Sequence, residues 1–323
     1  MERPSERTLK EHHAYYSADG PFAANARMLQ GVWARAQGLP LAERAFKNGM
    51  RKLAPLCNYV DPEHALHQGS NFLTEGIRCV VREEMKANAA RKGPARKVFR
   101  ADRLYGDLLN SQSLAFNLFG ELKLDLEMAT RVFRYMRPDH VDTVIGLEFE
   151  HAPRLGVARS NGDRSTFAVF VEYLGPRGRG FIGMEVKYAE SLSSKPVLFR
   201  ERYWELAEAS GQFRPGSLET LRTMPLGVEQ LWRAHLLCLE LGPPVGTTYA
   251  AGCFMFLYPQ DNFDCQIAVN RYQKMLSGSD SFLPFTMEEY CWALRSVKAG
   301  DWVDELVGRY LSFSRNLVPV IIR

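Results

Sequence analysis

Cysteine is scarce in this chain: six in 323 residues (Cys57, Cys79, Cys238, Cys253, Cys265 and Cys291), with no C-x-x-C pair among them. A chain of this length does not need disulfide staples, so reduced thiols in the cytoplasm are the expectation. Long apolar runs are also missing. The longest, residues 249–258, is about half of what a membrane span requires, which excludes a spanning helix and a membrane partner. The opening MERPSERTLKEHH lacks the apolar core that a signal peptide carries. No G-x-x-x-x-G-K-[ST] loop is present, which argues against ATP-driven motion, and no G-x-G-x-x-G follows a strand. Internal repeats, coiled-coil heptads and low-complexity tracts are absent. Charge of one sign is barely in excess. A net +4 does not by itself indicate a nucleic-acid partner, so the local distribution has to decide.

What is present has a globular composition, 46% hydrophobic and 24% charged, in a length that suits one large domain or two small ones. Apolar residues at helical spacing mark residues 22–37, which stop at Gly38 and Pro40, and then residues 42–53 and 73–90. Residues 58–72 read as a loop with a short turn of helix. Its His64 and His67 read as a surface pair, since no cysteine or third histidine lies nearby. Next comes ARKGPARKVFRADR. Arg91, Lys92, Arg96, Lys97, Arg100 and Arg103 surround the single acid Asp102, and Gly93 and Pro94 break any regular helix. Charge alone leaves two readings level, a solvated basic loop and a phosphate-contacting segment. Residues 110–136 read as one long helix, with Ser111 as N-cap and Leu114, Leu118, Leu122 and Leu126 on one face.

The central stretch is STFAVFVEYLGPRGRGFIGMEVKYAE, residues 165–190. Residues 166–173 and 181–188 are strands rich in apolar, β-branched and aromatic side chains, and the seven residues between them hold three glycines and a proline. Glu185 and Lys187 are two apart on a strand, so they leave the same face. A half-exposed ion pair would explain them, and so would a metal-dependent hydrolytic site. Upstream, VDTVIGLEFEH at 141–151 reads as a strand with Glu148 and Glu150 on one face. Downstream, residues 197–209, 228–241, 262–276, 287–297 and 301–313 read as helices and 247–258 as a strand, with Trp292 and Trp302 read as core. The fold class expected from this order is α/β (α+β), a central mixed sheet flanked by helices.

GMEVKY resembles the E-x-K element of the PD-(D/E)XK nuclease superfamily, which has the restriction-endonuclease-like fold. More narrowly, the chain is similar to a bacterial restriction-endonuclease branch through NSQSLAFNLFGEL at 110–122, FEHAP at 149–153, the hairpin, and FLYPQDN at 256–262. The resemblance implies a nuclease-like domain over 106–323 behind an N-terminal helical region at 1–105 with the basic segment, or one continuous domain. It implies Mg²⁺ (or Mn²⁺) as cofactor, held by Glu185 and the backbone carbonyl of Val186. Lys187 would orient or deprotonate the attacking water, or stabilise charge on the phosphate. The FEHAP match adds Glu150 as a catalytic and metal-site residue, with Glu148 as a neighbour. The start of the 110–122 match adds Ser111 and Gln112 beside the site.

One departure falls at the family's aspartate. Counting back from Tyr173, that position is Ala168, which cannot ligate a metal. Asp163 would supply the carboxylate if the register were shifted. Either the chain is a naturally degenerate member, or a substitution has trapped an inactive nuclease, and intact Glu185 and Lys187 favour the second. The expected function is a Mg²⁺-dependent DNA endonuclease of restriction or anti-phage defence, in an inactive Ala168 form. The alternative is a degenerate nuclease fold that binds nucleic acid without cutting it. Double-stranded DNA is the expected partner, contacted by Arg91, Lys92, Arg96, Lys97, Arg100, Arg154, Arg159, Arg164, Arg177 and Arg179. A homodimer and a partner protein of a defence system are both compatible with this reading.

Overall fold

The computed structural model describes residues 1–42, 56–93, 96–153, 166–190, 192, 200–223, 227–278 and 280–313. Its first third is helical. α1 (Glu6–Glu11) starts at Ser5, whose hydroxyl accepts from the Thr8 N–H. α2 (Pro21–Ala36) carries Pro21 in its first turn, where the missing N–H costs nothing. α3 (Pro62–Gln68) is capped by Asp61 and ends at a left-handed Gly69. α4 (Glu75–Ala90) starts at Thr74, and a short α5 (Ala101–Gly106) follows the basic segment. The helix expected at 42–53 lies, from residue 43 on, outside the described residues.

The long helix expected over 110–136 is two helices, α6 (Ser111–Leu124) and α7 (Leu126–Met136). The leucine repeat runs through the break, but Asp125 leaves helical dihedrals and caps α7 by accepting from the Met128 N–H. The N-cap of α6 is Asn110 rather than Ser111. Its side-chain oxygen accepts from the N–H groups of Gln112 and Ser113, at 2.8 and 3.1 Å.

Three strands then form an antiparallel meander: β1 (Thr143–His151), β2 (Phe167–Gly175) and β3 (Gly178–Val186). Pro176 and Arg177 make the turn between the paired Gly175 and Gly178. Gly178 has φ +108°, which a side chain would disfavour, and a Cβ on Gly175 would sit 1.9 Å from the His140 carbonyl. α8 (Glu201–Ser210), α9 (Ser217–Thr223) and α10 (Glu229–Leu241) cross over to β4 (Ala251–Tyr258), which pairs parallel with β3. α11 (Phe263–Met275) leads to β5 (Phe282–Thr286), parallel to β4, and α12 (Met287–Ser296) and α13 (Trp302–Tyr310) close the described chain. The sheet order is β1-β2-β3-β4-β5, mixed in direction.

Strand alternation sorts the core into two layers. Val169, Val171, Ile182, Met184, Met255 and Leu257 pack with α6, whose Leu114, Phe116, Leu118, Phe119 and Leu122 are all buried. Phe170, Phe181, Phe254 and Phe256 face the other way, onto Trp204, Trp232, Leu236 and Tyr272 of α8, α10 and α11. The first layer also takes in Phe22, Ala26, Phe72, Ile77 and Val80. Residues on both sides of position 106 therefore share one buried cluster. Arg309, fully buried, ties the two parts further. It donates to Gln30 Oε1 (3.0 Å) and to the Asn71 carbonyl (2.8 Å), and stacks on Trp33 at 4.0 Å. Trp302 is in the core as expected, but Trp292 is 66% exposed. No helix among the described residues is long and apolar enough to cross a membrane.

Candidate active site

The end of β3 meets the start of α6. The Tyr188 N–H faces Ser111 Oγ at 3.4 Å and Glu190 Oε2 at 3.2 Å, and Ser111 Oγ donates to the same Glu190 oxygen at 2.5 Å. The Lys187 N–H continues the sheet by donating to the Leu257 carbonyl at 2.9 Å. This junction opens into a cavity of about 330 Å³. Gln112, Glu150, Ala168, Glu185, Val186 and Lys187 all line it, together with Ser111, Thr166 and Glu190. The residues that sequence reading put at the site thus converge, with the exception of Asp163, which lies outside the described residues.

The sheet register explains the convergence. The pairs Phe149–Val169 and His151–Phe167 bracket Glu150 and Ala168 on β1 and β2. Continuing β2–β3 one step past Val169–Met184 brings Ala168 level with Glu185. Glu150, Ala168 and Glu185 therefore form one row across three strands, with the alanine in the middle. Glu150 holds φ +47°, a left-handed backbone that a non-glycine residue adopts at a cost.

The electrostatics follow from this crowding. Burial, and then the nearby Glu185 carboxylate, push the Glu150 carboxyl up to about 7, against hydrogen bonds from Gln112 and Thr166 that favour its charged form. Lys187 Nζ is 2.8 Å from Glu185 Oε1. Attraction to Glu185, helped by Glu190, raises the Lys187 ammonium well above its ordinary range in spite of its burial. Glu148 does not join the site. It is half exposed, pairs with His151 Nδ1 at 2.9 Å, and is held down to about 2 chiefly by that hydrogen bond. Two carboxylates, a backbone carbonyl at Val186 and room for water match the hard oxygen ligands that a Mg²⁺-like ion takes. Among the described residues, no group of three His, Cys, Asp or Glu side chains is close enough to hold a metal ion. The row is one carboxylate short, at Ala168.

The basic residues divide. Arg100 and Arg103 are exposed and line the cavity, and Lys92 and Arg96 are exposed nearby in sequence, with Arg91 half-buried. Lys97 requires a correction. It is only 8% exposed, with Nζ 2.9 Å from Glu84 Oε2 and donating to the Phe149 carbonyl at 2.5 Å. A side chain so committed is not free to meet a phosphate. Glu84 Oε1 also holds Lys123 at 3.1 Å, and Lys123 donates to the Leu147 carbonyl. The two lysines thus satisfy carbonyls of β1, an edge strand. Arg177 and Arg179 lie at the hairpin turn, about 20 Å along β3 from Glu185 at strand rise. Arg179 there pairs with Glu172 at 2.8 Å. Arg154, Arg159 and Arg164 lie outside the described residues.

Sequence reading missed Glu190, Thr166 and Asn262. Glu190 follows the E-x-K element by only three residues, which was a usable signal. Asn262 belongs to FLYPQDN and donates to the Tyr188 carbonyl at 2.8 Å, a hydrogen bond 74 residues apart in sequence that nothing local announces.

A family model of the PD-(D/E)XK nuclease superfamily matches residues 17–312. No curated protein and no solved structure matches the chain.

Proposed function

Because this chain belongs to the PD-(D/E)XK nuclease superfamily, we propose that its cavity is a Mg²⁺-dependent site for cleaving duplex DNA, present in a form disarmed at Ala168. The observation that carries the reading is the row Glu150–Ala168–Glu185, with Lys187 paired to Glu185 at 2.8 Å. A scaffold with a structural ion pair would need Glu185 and Lys187 only. It would not need a second, half-buried carboxylate pushed up to about 7 beside them. Glu150, Glu185 and the Val186 carbonyl would hold the ion, with Mn²⁺ as a substitute. When bound, it would neutralise phosphate oxygens and acidify water.

The chain's own groups account for the rest. Lys187 keeps its proton in the field of Glu185, so it acts as a fixed positive charge toward the oxygens that gain charge on the phosphate, rather than as a base. Gln112 and Thr166 orient Glu150 by hydrogen bonds. Arg100 and Arg103 at the cavity rim attract the backbone of the nucleic acid. Ala168 removes the middle carboxylate, which lowers ion affinity while leaving these interactions in place. A role in restriction or anti-phage defence fits the same reading and rests on the resemblance alone.

A second reading is favoured by Ala168 itself: a nuclease fold that binds DNA without cutting it. Ala168→Asp separates the two. The parent chain should show little cleavage of plasmid or phage DNA, plain or modified, across Mg²⁺ and Mn²⁺ concentrations. The Asp variant should cut, EDTA should abolish the cutting, and adding Glu185→Ala or Lys187→Ala should remove it by about 10³-fold. A variant that binds DNA and cuts none of these substrates would leave the binding-only reading in place.

A further inference from the structure

Glu150 reaches the cavity by departing from the geometry of its own strand. Glu148 and Glu150 are two apart on β1, and a regular strand would turn both side chains to one face. Of the two, Glu150 alone lines the cavity, while Glu148 is half exposed and paired with His151. The difference lies in the left-handed backbone of Glu150, φ +47°, and no other residue of β1 has a positive φ. That angle is a rotation away from the planar peptide unit that joins Phe149 to Glu150. The direction of the Glu150 side chain therefore depends on how that unit is held.

The unit is held from outside the sheet. Its carbonyl, on Phe149, accepts from Lys97 Nζ at 2.5 Å. Lys97 is itself fixed by α4. Its ammonium pairs with Glu84 Oε2 at 2.9 Å, and the Asn88 side chain exchanges hydrogen bonds with its backbone at 2.7 and 3.0 Å. The Phe149 ring is fixed too, stacked on Phe116 of α6 with centroids 4.1 Å apart. One residue after Lys97, the Val98 carbonyl accepts from Gln112 at 3.0 Å, and Gln112 also hydrogen-bonds the Glu150 carboxyl. Both the peptide and the carboxyl of Glu150 thus trace back to Lys97 and Val98. Lys123 makes the comparison. It pairs with the same Glu84 and donates to the Leu147 carbonyl at 2.8 Å, yet the backbone there is ordinary strand.

We propose that Lys97 is a positioning residue for Glu150. Buried against Glu84, it locks the Phe149–Glu150 peptide in the orientation from which a left-handed backbone aims the Glu150 carboxylate into the cavity. Lys97 does not line the cavity, so it acts through Glu150 and touches neither ion nor phosphate. Groups that orient a metal's ligands from behind are typically worth about 10–100-fold in metal affinity. The basic segment then holds two kinds of cation. Arg100 and Arg103 stand exposed at the cavity rim, while Lys97 sets the geometry of a carboxylate.

This inference rests on the reading of the cavity as a metal site, and two readouts keep the two apart. The first is Mn²⁺ affinity, titrated by calorimetry into the full chain carrying Ala168→Asp. Three further chains add Lys97→Met, Lys123→Met, or Lys97→Met with Glu84→Leu, each measured below its melting temperature. The second readout is the φ of Glu150 and the place of its carboxylate in metal-free crystal structures of the same chains. Lys97→Met should weaken Mn²⁺ binding by about 10–100-fold and release Glu150 to a negative φ. Lys123→Met should leave both readouts as they are in the Ala168→Asp chain, although it too removes a partner of Glu84. Lys97→Met with Glu84→Leu should regain stability without regaining Mn²⁺ affinity, a split that a merely structural lysine does not produce. The same double variant carries the test if Lys97→Met alone fails to fold. A folded chain without Lys97 that binds Mn²⁺ as tightly as the Ala168→Asp chain, or keeps Glu150 left-handed in the cavity, overturns the inference and leaves the metal reading standing. So does an equal loss of affinity in Lys123→Met. If the Ala168→Asp chain itself binds no Mn²⁺, the metal reading falls, and the backbone of Glu150 in the crystals still decides whether Lys97 positions it.

Discussion

Lys97→Met separates a structural lysine from a DNA-contacting one. The wild-type ammonium is 2.9 Å from Glu84 and 2.5 Å from the Phe149 carbonyl, and its side chain is 5% exposed, with that of Glu84 at 10%. Methionine fills similar space but supplies no donor. It leaves Glu84 with Lys123 as its remaining ion-pair partner and leaves an edge-strand carbonyl without its hydrogen bond. Breaking a buried pair by removing one partner costs about 3–5 kcal/mol. Retention of Lys123 lowers this to about 2–4 kcal/mol, a large part of a typical 5–15 kcal/mol. Urea denaturation should show that loss as a lower midpoint with an unchanged m-value. Where the variant is still folded, its DNA affinity and salt slope should match the parent's. The double variant Lys97→Met with Glu84→Leu should recover part of the stability, since replacing both members costs less than orphaning one. The outcome that would refute this is a stability change under about 0.5 kcal/mol with weaker DNA binding and a flatter salt slope. Lys97 would then be a phosphate contact after all.

Glu150→Gln tests the strained carboxylate. Because its folded pKa is raised from 4.5 to about 7, the folded chain keeps a proton that the unfolded chain has lost. Stability from this group therefore falls as pH rises through that window. The Gln variant should match the parent near pH 4 and exceed it at pH 8 by up to about 3 kcal/mol. A variant that is no more stable at pH 8 would show that the carboxylate is not under this strain. In the Ala168→Asp background, the same Gln change should abolish cleavage and the rise in melting temperature on adding Mg²⁺, which calorimetry and the plasmid assay read separately. Neutralising Arg96, Arg100 and Arg103 together should weaken duplex binding and reduce the salt slope by about one for each phosphate that no longer meets a cation, with little change in melting temperature. Unaltered binding in that triple variant would move the DNA path away from the cavity rim.

The hairpin was legible because alternating apolar residues and a glycine-proline turn say the same thing twice. The sheet beyond β3 was only half legible. β4 is a long apolar run, but β5 is five residues, FLPFT, with Pro284 inside it, and a proline argues against a strand unless the strand is at an edge, as here. The α6–α7 break was hidden because Leu122 and Leu126 continue the repeat across Asp125. The burial of Lys97 was hidden by its neighbours, since one lysine in a run of basic residues carries no mark of its own. Its partner did carry one: Ile77, Val80, Val81, Glu84 and Asn88 are the buried face of α4, so a carboxylate was already sitting where apolar residues belong. Asn88 shows the same logic, exchanging hydrogen bonds with the Lys97 backbone at 2.7 and 3.0 Å. A charged residue on an apolar stripe asks for an opposite charge, and the nearest basic segment follows directly.

The row at Glu150 shows why spacing alone left the site open. A strand's register sets which residues stand side by side, and a slip of one turns every side chain to the other face. The sequence between His151 and Phe167 is too long to fix that register by its length, so Glu150 could be tied to Glu185 in three dimensions only. Once it is, the local costs accumulate in one place. Glu150 adopts a left-handed backbone, which costs about 1–3 kcal/mol. Its carboxyl is partly buried beside a like charge. Gln112, at the first turn of α6, hydrogen-bonds it while also donating to the Val98 carbonyl at 3.0 Å. A sequence selected for folding alone would relieve each of these with glycine or an uncharged side chain. Local rules are broken together where something other than stability fixes the residues. Here they are broken around the alanine that stands between two glutamates, which is why the proposed reading expects a single carboxylate at position 168 to change the chemistry.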